Sequence, residues 1–190
     1  MNQYQALIVA FGKAGKTLAV KLAKAGWRVV MVEQSNVMYG GTYINIGYIP
    51  TQMLLRDAER HHNFETAMQR KVSVDSFLRD KNFRNLADLH NVDVIEGRAE
   101  FIDCHTVRVF QADGIRNIRA EKIFINTGAQ ATVPEILGLS TNPGVVDRSG
   151  LLNISCPPER LGILGGGYIG VEISSIFSSF GTWVTISSNR

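Results

Sequence analysis

A short apolar run, Ala6-Leu-Ile-Val-Ala10, breaks directly into the small-residue stretch Ala10-Phe-Gly-Lys-Ala-Gly-Lys-Thr17, and this junction constrains the fold more than any other feature. From Lys13 to Ala25 the apolar spacing is helical, with Leu18 and Leu22 on one face and Lys21 and Lys24 elsewhere, and Gly26 ends the helix. Arg28-Val-Val-Met-Val-Glu33 then reads as a second buried strand. A strand, a helix and a strand within 33 residues have the length of a parallel crossover, so the expected class is α/β.

The glycine stretch can be read in two registers. As A-x-x-x-x-G-K-T it is a relaxed triphosphate loop, and as A-x-G-x-x-G a relaxed dinucleotide turn; both set backbone N–H groups and a helix N-terminus against phosphate. Context favours the dinucleotide. Glu33 closes the second strand 21 residues after Gly12, where an acidic side chain can hold a ribose hydroxyl. No later apolar strand closes on the Asp that a magnesium-dependent triphosphatase needs. A nucleotide-triphosphate-binding module stays as the alternative. Ala10 stands where the first glycine usually turns the chain, and its Cβ costs about 1 kcal/mol if φ there is positive.

The signal recurs. Leu161-Gly-Ile-Leu164 leads into Gly165-Gly-Gly167-Tyr-Ile-Gly170, a full G-x-G-x-x-G, after which Ile169, Ile173, Ile176, Phe177 and Phe180 keep helical spacing up to Gly181, and Trp183-Val-Thr-Ile186 forms the next strand. Two such units suggest two nucleotide cofactors, and a flavin with a nicotinamide is the usual couple. The 190 residues can bury one sizeable core and begin a second. Twenty basic against 17 acidic residues, spread along the chain, do not suggest nucleic acid. With no long apolar run and no basic, cleavable start, no membrane partner is expected and the expected location is the cytoplasm. Cys104 and Cys156 have no redox or metal-ligand spacing, so no metal site is expected.

Elsewhere the pattern is plainer. Asp57 to Leu78 reads as the continuation of a helix begun near Pro50, with Pro at its first position and with His61 and His62 facing solvent. Val92 to Phe110 and Gly114 to Ile125 read as a small β-meander with a turn at Asp103 to Thr106. Taken alone, Thr127-Gly128 is a strand-ending turn and Gly97-Arg-Ala99 a strand bulge. Pro157-Pro158 reads as a domain boundary.

Three further stretches carry a resemblance. Gly40-Gly-Thr-Tyr-Ile-Asn-Ile-Gly-Tyr-Ile-Pro-Thr-Gln52 closely resembles the G-G-T-C-x-N-x-G-C-x-P-[ST]-K signature of class I pyridine nucleotide-disulfide oxidoreductases, which include dihydrolipoamide dehydrogenase, glutathione reductase and mercuric reductase. Ile123-Phe-Ile-Asn-Thr-Gly128-Ala is similar to the family's A-T-G-A flavin segment, and Gly165 to Glu172 to its G-G-G-Y-I-G-x-E. The resemblance covers essentially the whole chain. It implies a Rossmann-like FAD/NAD(P)-binding fold, a parallel sheet with helices on both sides and a small β-meander, with residues 1–156 as an FAD-binding domain and 157–190 as the first strand-helix-strand of an NAD(P)-binding domain. FAD is the implied cofactor and flavin nucleotide the implied partner. Gly12, Lys13, Ala14 and Gly15 would hold the pyrophosphate, Glu33 and Gln34 the adenosine ribose, Gly41 and Thr42 the pyrophosphate and flavin, and Gln52 would lie near the flavin. Gly97 and Ala99 would face the adenine, Asn126, Thr127 and Gly128 would pass beside the cofactor, and Gly165, Gly167 and Gly170 would receive the nicotinamide nucleotide.

The departures carry equal weight. Tyr43 and Tyr48 stand where the family has its redox-active cysteines, and a phenol has no thiolate-disulfide chemistry. No catalytic residue is then intact, and a tyrosine there would serve as an aromatic lid on the flavin, as a one-electron donor, or as filler. Such an enlargement strains a packed site by about 1–3 kcal/mol unless the position is open. Gln52 replaces the family's flavin-proximal lysine, so Glu172 is expected to lose its partner and flavin reduction to suffer. Ser188 and Arg190 at the end of the second unit mildly favour NADP. Family members continue with the rest of the nicotinamide domain, a returning flavin segment and a dimerisation domain. This chain is therefore expected to act as an FAD-binding fragment with an incomplete NAD(P) site, exposed apolar surface on its last unit, no homodimer interface and no cycle of its own. An NAD(P)H-dependent flavin reductase acting without a disulfide on a quinone, oxygen or a metal ion is the alternative, in a longer chain.

Overall fold

The structure, a computed structural model, describes residues 3–188. Its chain divides into two compact units, one made of the segment up to Asn45 together with Ser76–Ala129, the other of Ile46–Asp75 with the segment from Gln130 onward.

The first unit is built on one sheet in the order β3-β2-β1-β6-β5-β4. Strands β1 (Gln3–Val9), β2 (Val29–Glu33) and β3 (Val92–Glu96) pair in parallel, and β6 (Gly114–Ile125) joins β1 in parallel on its other side. Strands β4 (Arg98–Asp103) and β5 (Thr106–Gln111) complete the sheet in antiparallel fashion. The expected α/β class holds, with one difference. The meander is continuous with the parallel sheet, and Val92–Glu96 belongs to the parallel part. The apolar runs have no polar alternation because both faces of the sheet are covered. Ala6, Ile8, Val29 and Met31 pack on one side with Ala19 and Ala23 of α1 (Lys13–Lys24), while Leu7, Val30 and Val32 pack on the other with Val107, Val109 and Ile118.

In the second unit, α3 (Tyr48–Glu59), α5 (Arg148–Leu151) and α6 (Tyr168–Ser179) share a core of Leu54, Leu151, Leu152, Ile173, Ile176 and Phe177. The three-residue 3-10 turn Asn36–Met38 and the four-residue helix α2 (Thr42–Asn45) belong to the first unit and precede α3 in the chain; in the second, β7 (Arg160–Leu164) pairs in parallel with β8 (Trp183–Ser187). As expected, apolar side chains are exposed here, among them Leu164, Tyr168, Ile169 and Trp183.

The expected helix through Asp57 to Leu78 is corrected. It is two helices, α3 and α4 (Phe64–Ala87), and Pro50 is the third residue of α3, not the first. The chain reverses at His61, whose φ of +57° is left-handed, with the N–H groups of His61 and His62 donating to the carbonyls of Ala58 and Asp57. Asn63 then caps α4 by accepting from the Thr66 N–H at 2.8 Å. Both histidines are exposed, on this turn and not on a helix face.

Candidate functional site

The turn after β1 is held open by hydrogen bonds from three directions. The Ala10 N–H donates to the Val32 carbonyl at 2.7 Å, the Asn126 N–H donates to the Val9 carbonyl at 2.9 Å, and the Asn126 side-chain amide donates to the Ala10 carbonyl at 3.1 Å. Ala10 has φ +79°, so the strain conditional on a positive φ is present. Gly12 is the N-cap of α1, and no side chain caps it. The first-turn N–H groups at Lys13, Ala14 and Gly15 therefore leave the helix without an intrahelical acceptor, which is the arrangement an anion completes.

Close approach explains the glycines. A Cβ on Gly12 would lie 2.7 Å from the Asn126 amide nitrogen, and one on Gly15 would lie 2.6 Å from it and 2.9 Å from Ile8. Gly41 has φ +75°, and its Cβ would sit 2.7 Å from the Gly12 Cα, so the segment Gly40–Thr42 folds back directly over the turn. Its position is secured by the Gly40 N–H, which donates to the Phe11 carbonyl at 3.1 Å. A side chain at Gly12, Gly15 or Gly41 would collide with these neighbours.

Charge surrounds this turn unevenly. Glu33 is buried, its Oε2 accepting from the Phe11 N–H at 2.7 Å and its Oε1 from the Ser35 N–H at 3.2 Å. This fixes the carboxylate at the end of β2 while leaving each oxygen a second lone pair. Gln34 beside it is exposed. The Lys13 ammonium lies 4.2 Å from the centre of the Tyr43 ring. Lys16 bonds to the side chain of Asn82, and burial, then the nearby charge of Lys13, lowers its pKa. Tyr39 packs between Phe11 and Phe83, and burial, then the charges of Glu96 and Glu33, raises its pKa. Gly97 donates its N–H to the Glu33 carbonyl at 2.8 Å and lies too close to Val109 for a side chain. Ala99 pairs with Val109, and Thr127 and Gly128 follow β6 as exposed backbone.

The turn after β7 repeats this geometry. The Gly165 N–H donates to the Ser187 carbonyl at 2.8 Å, as Ala10 does to Val32, and φ at Gly165 is +111°. The N-caps match as well, with φ −76° and ψ 170° at Gly12 against −73° and 178° at Gly167, again without a side-chain cap. Gly170 meets the Gly165 carbonyl so closely that no Cβ fits. This likeness favours the dinucleotide register for the first turn. The Thr17 hydroxyl, which the triphosphate register would aim at a metal, donates to the Lys13 carbonyl at 2.8 Å. Ser188 follows β8, and Arg190 lies outside the described residues.

A second polar group lies within the other unit. Glu172 accepts from the Thr51 hydroxyl at 2.8 Å through Oε1 and from the Arg148 guanidinium at 3.0 Å through Oε2. The expectation that Glu172 is left without a partner is corrected, since Arg148 takes that place. Arg148 is a residue that sequence reasoning missed; the available signal is the Asp147 cap three residues before Gly150, which announces the short helix that carries it. Gln52 on α3 is half-buried. Tyr43 and Tyr48 are 39% and 53% exposed, so both phenols are at open positions and the strain expected of a packed site does not arise. Cys104 and Cys156 are free and exposed. Among the described residues no helix is long and apolar enough to cross a membrane.

Comparison with known proteins matches this arrangement. The probable pyridine nucleotide-disulfide oxidoreductase RclA of Escherichia coli (strain K12) is 63% identical over 186 residues, covering 98% of this chain and 42% of that protein. A mercuric reductase of Lysinibacillus sphaericus is 32% identical over 202 residues, covering 97% of this chain and 36% of its own. Among solved structures, a Cu(II) complex of the HOCl-induced flavoprotein disulfide reductase RclA from Escherichia coli superposes with a TM-score of 0.96 at 63% identity, over 98% of this chain and 42% of that one. The chain thus spans less than half the length of these relatives. Residues 4–190 match the family described as pyridine nucleotide-disulphide oxidoreductase, and the chain belongs to that family.

Proposed function

We propose that this chain is the FAD-binding N-terminal part of an RclA-like flavoprotein oxidoreductase in which the dithiol reaction of the family is absent. The observation that carries the reading is the turn at α1, where an uncapped helix start offers unpaired N–H groups and the close contacts of Gly12, Gly15 and Gly41 admit no side chain. Such a set of residues fits the cofactor's diphosphate. Lys13 adds positive charge beside it, and the buried Glu33 keeps lone pairs for a ribose hydroxyl.

Bound there, the flavin would supply two-electron transfer between a nicotinamide and an acceptor. The chain's own residues fix the diphosphate and orient the adenosine end. Tyr43 and Tyr48 stand at the positions that resemble the redox cysteines, and neither can form a disulfide. Along the sequence, residues 1–156 serve the flavin and 157–190 begin the nicotinamide unit, with Ser188 favouring the phosphorylated form. The location is cytoplasmic and no nucleic acid or membrane is bound.

A purified sample tests this directly. Flavin absorbance in the visible range, or heat released on titration with FAD, is expected; a colourless protein that takes up no FAD refutes the reading, and magnesium-dependent ATP binding in its place would establish the triphosphate register. The second reading, an NAD(P)H-dependent reductase that works through flavin alone, is favoured by the likeness to a protein described as a Cu(II) complex. Any NAD(P)H turnover with a quinone, oxygen or Cu(II) as acceptor supports it over a defective fragment.

A further inference from the structure

Glu172 sits on α6 with its carboxylate only 26% exposed, and both oxygens are engaged. A carboxylate withdrawn this far from water needs a positive partner or it destabilises the packing around it. Among the described residues its ion pair is with Arg148. Helix α3 packs against α6, and the residue after Thr51 on α3 is the neutral Gln52.

Arg148 does more than neutralise. The nitrogen that meets Glu172 also lies 3.1 Å from the Gly47 carbonyl and 3.4 Å from the Thr51 hydroxyl. Gly47 is the N-cap of α3, and its carbonyl is shared by the Arg148 guanidinium and the Thr51 hydroxyl, the latter 2.9 Å away. The guanidinium is itself firmly mounted. It belongs to the first residue of α5, Asp147 caps that helix at the Gly150 N–H, and Leu151 and Leu152 are buried behind it. All three contacts are made by one terminal nitrogen, Nη2, while Nε is buried without a hydrogen-bond partner among the described residues.

We propose that Arg148 is a positioning residue that supplies the positive charge position 52 lacks in this chain, and that through Glu172 and the Gly47 carbonyl it fixes the start of α3, which carries Tyr48 and Gln52. The link to flavin chemistry rests on the function proposed above; the charge relation does not.

The test is urea unfolding of the 190-residue chain without added flavin, comparing the unaltered protein with Arg148→Gln, Glu172→Gln, their double variant, and Arg148→Gln combined with Gln52→Lys. Each single change is expected to lower the folding equilibrium constant about tenfold, with the figure reduced for partial exposure. The double variant should lose much less than the hundredfold product of the two, because it leaves no unpaired charge. Gln52→Lys should recover most of the loss in the Arg148→Gln background and give no gain in the unaltered chain. Multiplicative losses, or a lysine at position 52 that restores nothing, would overturn the proposal, since a purely packing role for Arg148 predicts both. If Arg148→Gln does not fold, Arg148→Lys is read in its place: a loss well below that of Glu172→Gln supports the charge role, and a loss as large as that of Glu172→Gln overturns it. Failure to bind FAD would refute the proposed function and leave this result unaffected.

Discussion

Exchanging the first residues of the two glycine turns tests whether their backbones are under the strain their dihedrals imply. Ala10 holds φ +79° at the position where the second turn has Gly165 at +111°. A left-handed alanine costs about 1–2 kcal/mol. Replacing Ala10 by Gly removes that cost but loosens the unfolded chain by about 0.4–1 kcal/mol. It also deletes a half-buried methyl, worth about half of the ~0.8 kcal/mol of a fully buried methylene. The sum is a stabilisation of about 0.5 kcal/mol. Gly165→Ala runs the other way. No atom lies within 4 Å of the added Cβ, so packing neither helps nor hinders and the dihedral alone decides. Left-handed strain less the unfolded-state gain gives a destabilisation of about 1 kcal/mol. Urea midpoints at unchanged m-value measure both, and the two variants should move in opposite directions. Equal destabilisation in both would show that the methyl of Ala10 contributes more by packing than it costs in strain, and the argument from φ would fail.

Gly41→Ala combines a left-handed φ with a Cβ 2.7 Å from the Gly12 Cα, so calorimetry should show FAD uptake abolished and urea denaturation a loss of about 1–3 kcal/mol. A double-mutant cycle between Lys13→Met and Tyr43→Leu should return a coupling of about 0.5–1 kcal/mol, the size of an exposed cation-π contact; additive losses would show that the ring does not hold the ammonium. At alkaline pH two groups act in opposite senses. The pKa of Tyr39 is raised above 10.0, so the unfolded chain loses that proton first and stability falls as pH rises past 10.0. The pKa of Lys16 is lowered below 10.5, so its neutral form is favoured in the fold and stability rises between the lowered value and 10.5. Tyr39→Phe should therefore flatten the decline above pH 10.0 in a stability profile, and an unchanged profile would remove Tyr39 from the account.

Where sequence and structure diverge, the cause is physical and local. The break between α3 and α4 was not legible because His61 takes a left-handed conformation without being glycine, and because the Asn63 cap lies inside an otherwise helical pattern. The continuation of the meander into the parallel sheet was not legible because pairing partners are chosen across long separations, such as Ala6 with Lys122, that periodicity does not encode. At the candidate site, Gly12, Gly15, Gly41 and Asn126 were each anticipated, yet their mutual contact emerges only when β1, the Gly40–Thr42 segment and the end of β6 are brought together.

By itself the amino-acid order determined the repeated strand-turn-helix, because short-range spacing dictates where backbone N–H groups are left unpaired and where a Cβ is absent. It equally determined that no thiol occupies positions 43 and 48, since residue identity needs no fold. Only the tertiary structure decided which cation serves Glu172, because Arg148 is separated from it by 24 residues and from Thr51 by 97, and a charge pair of that separation exists only once the helices pack.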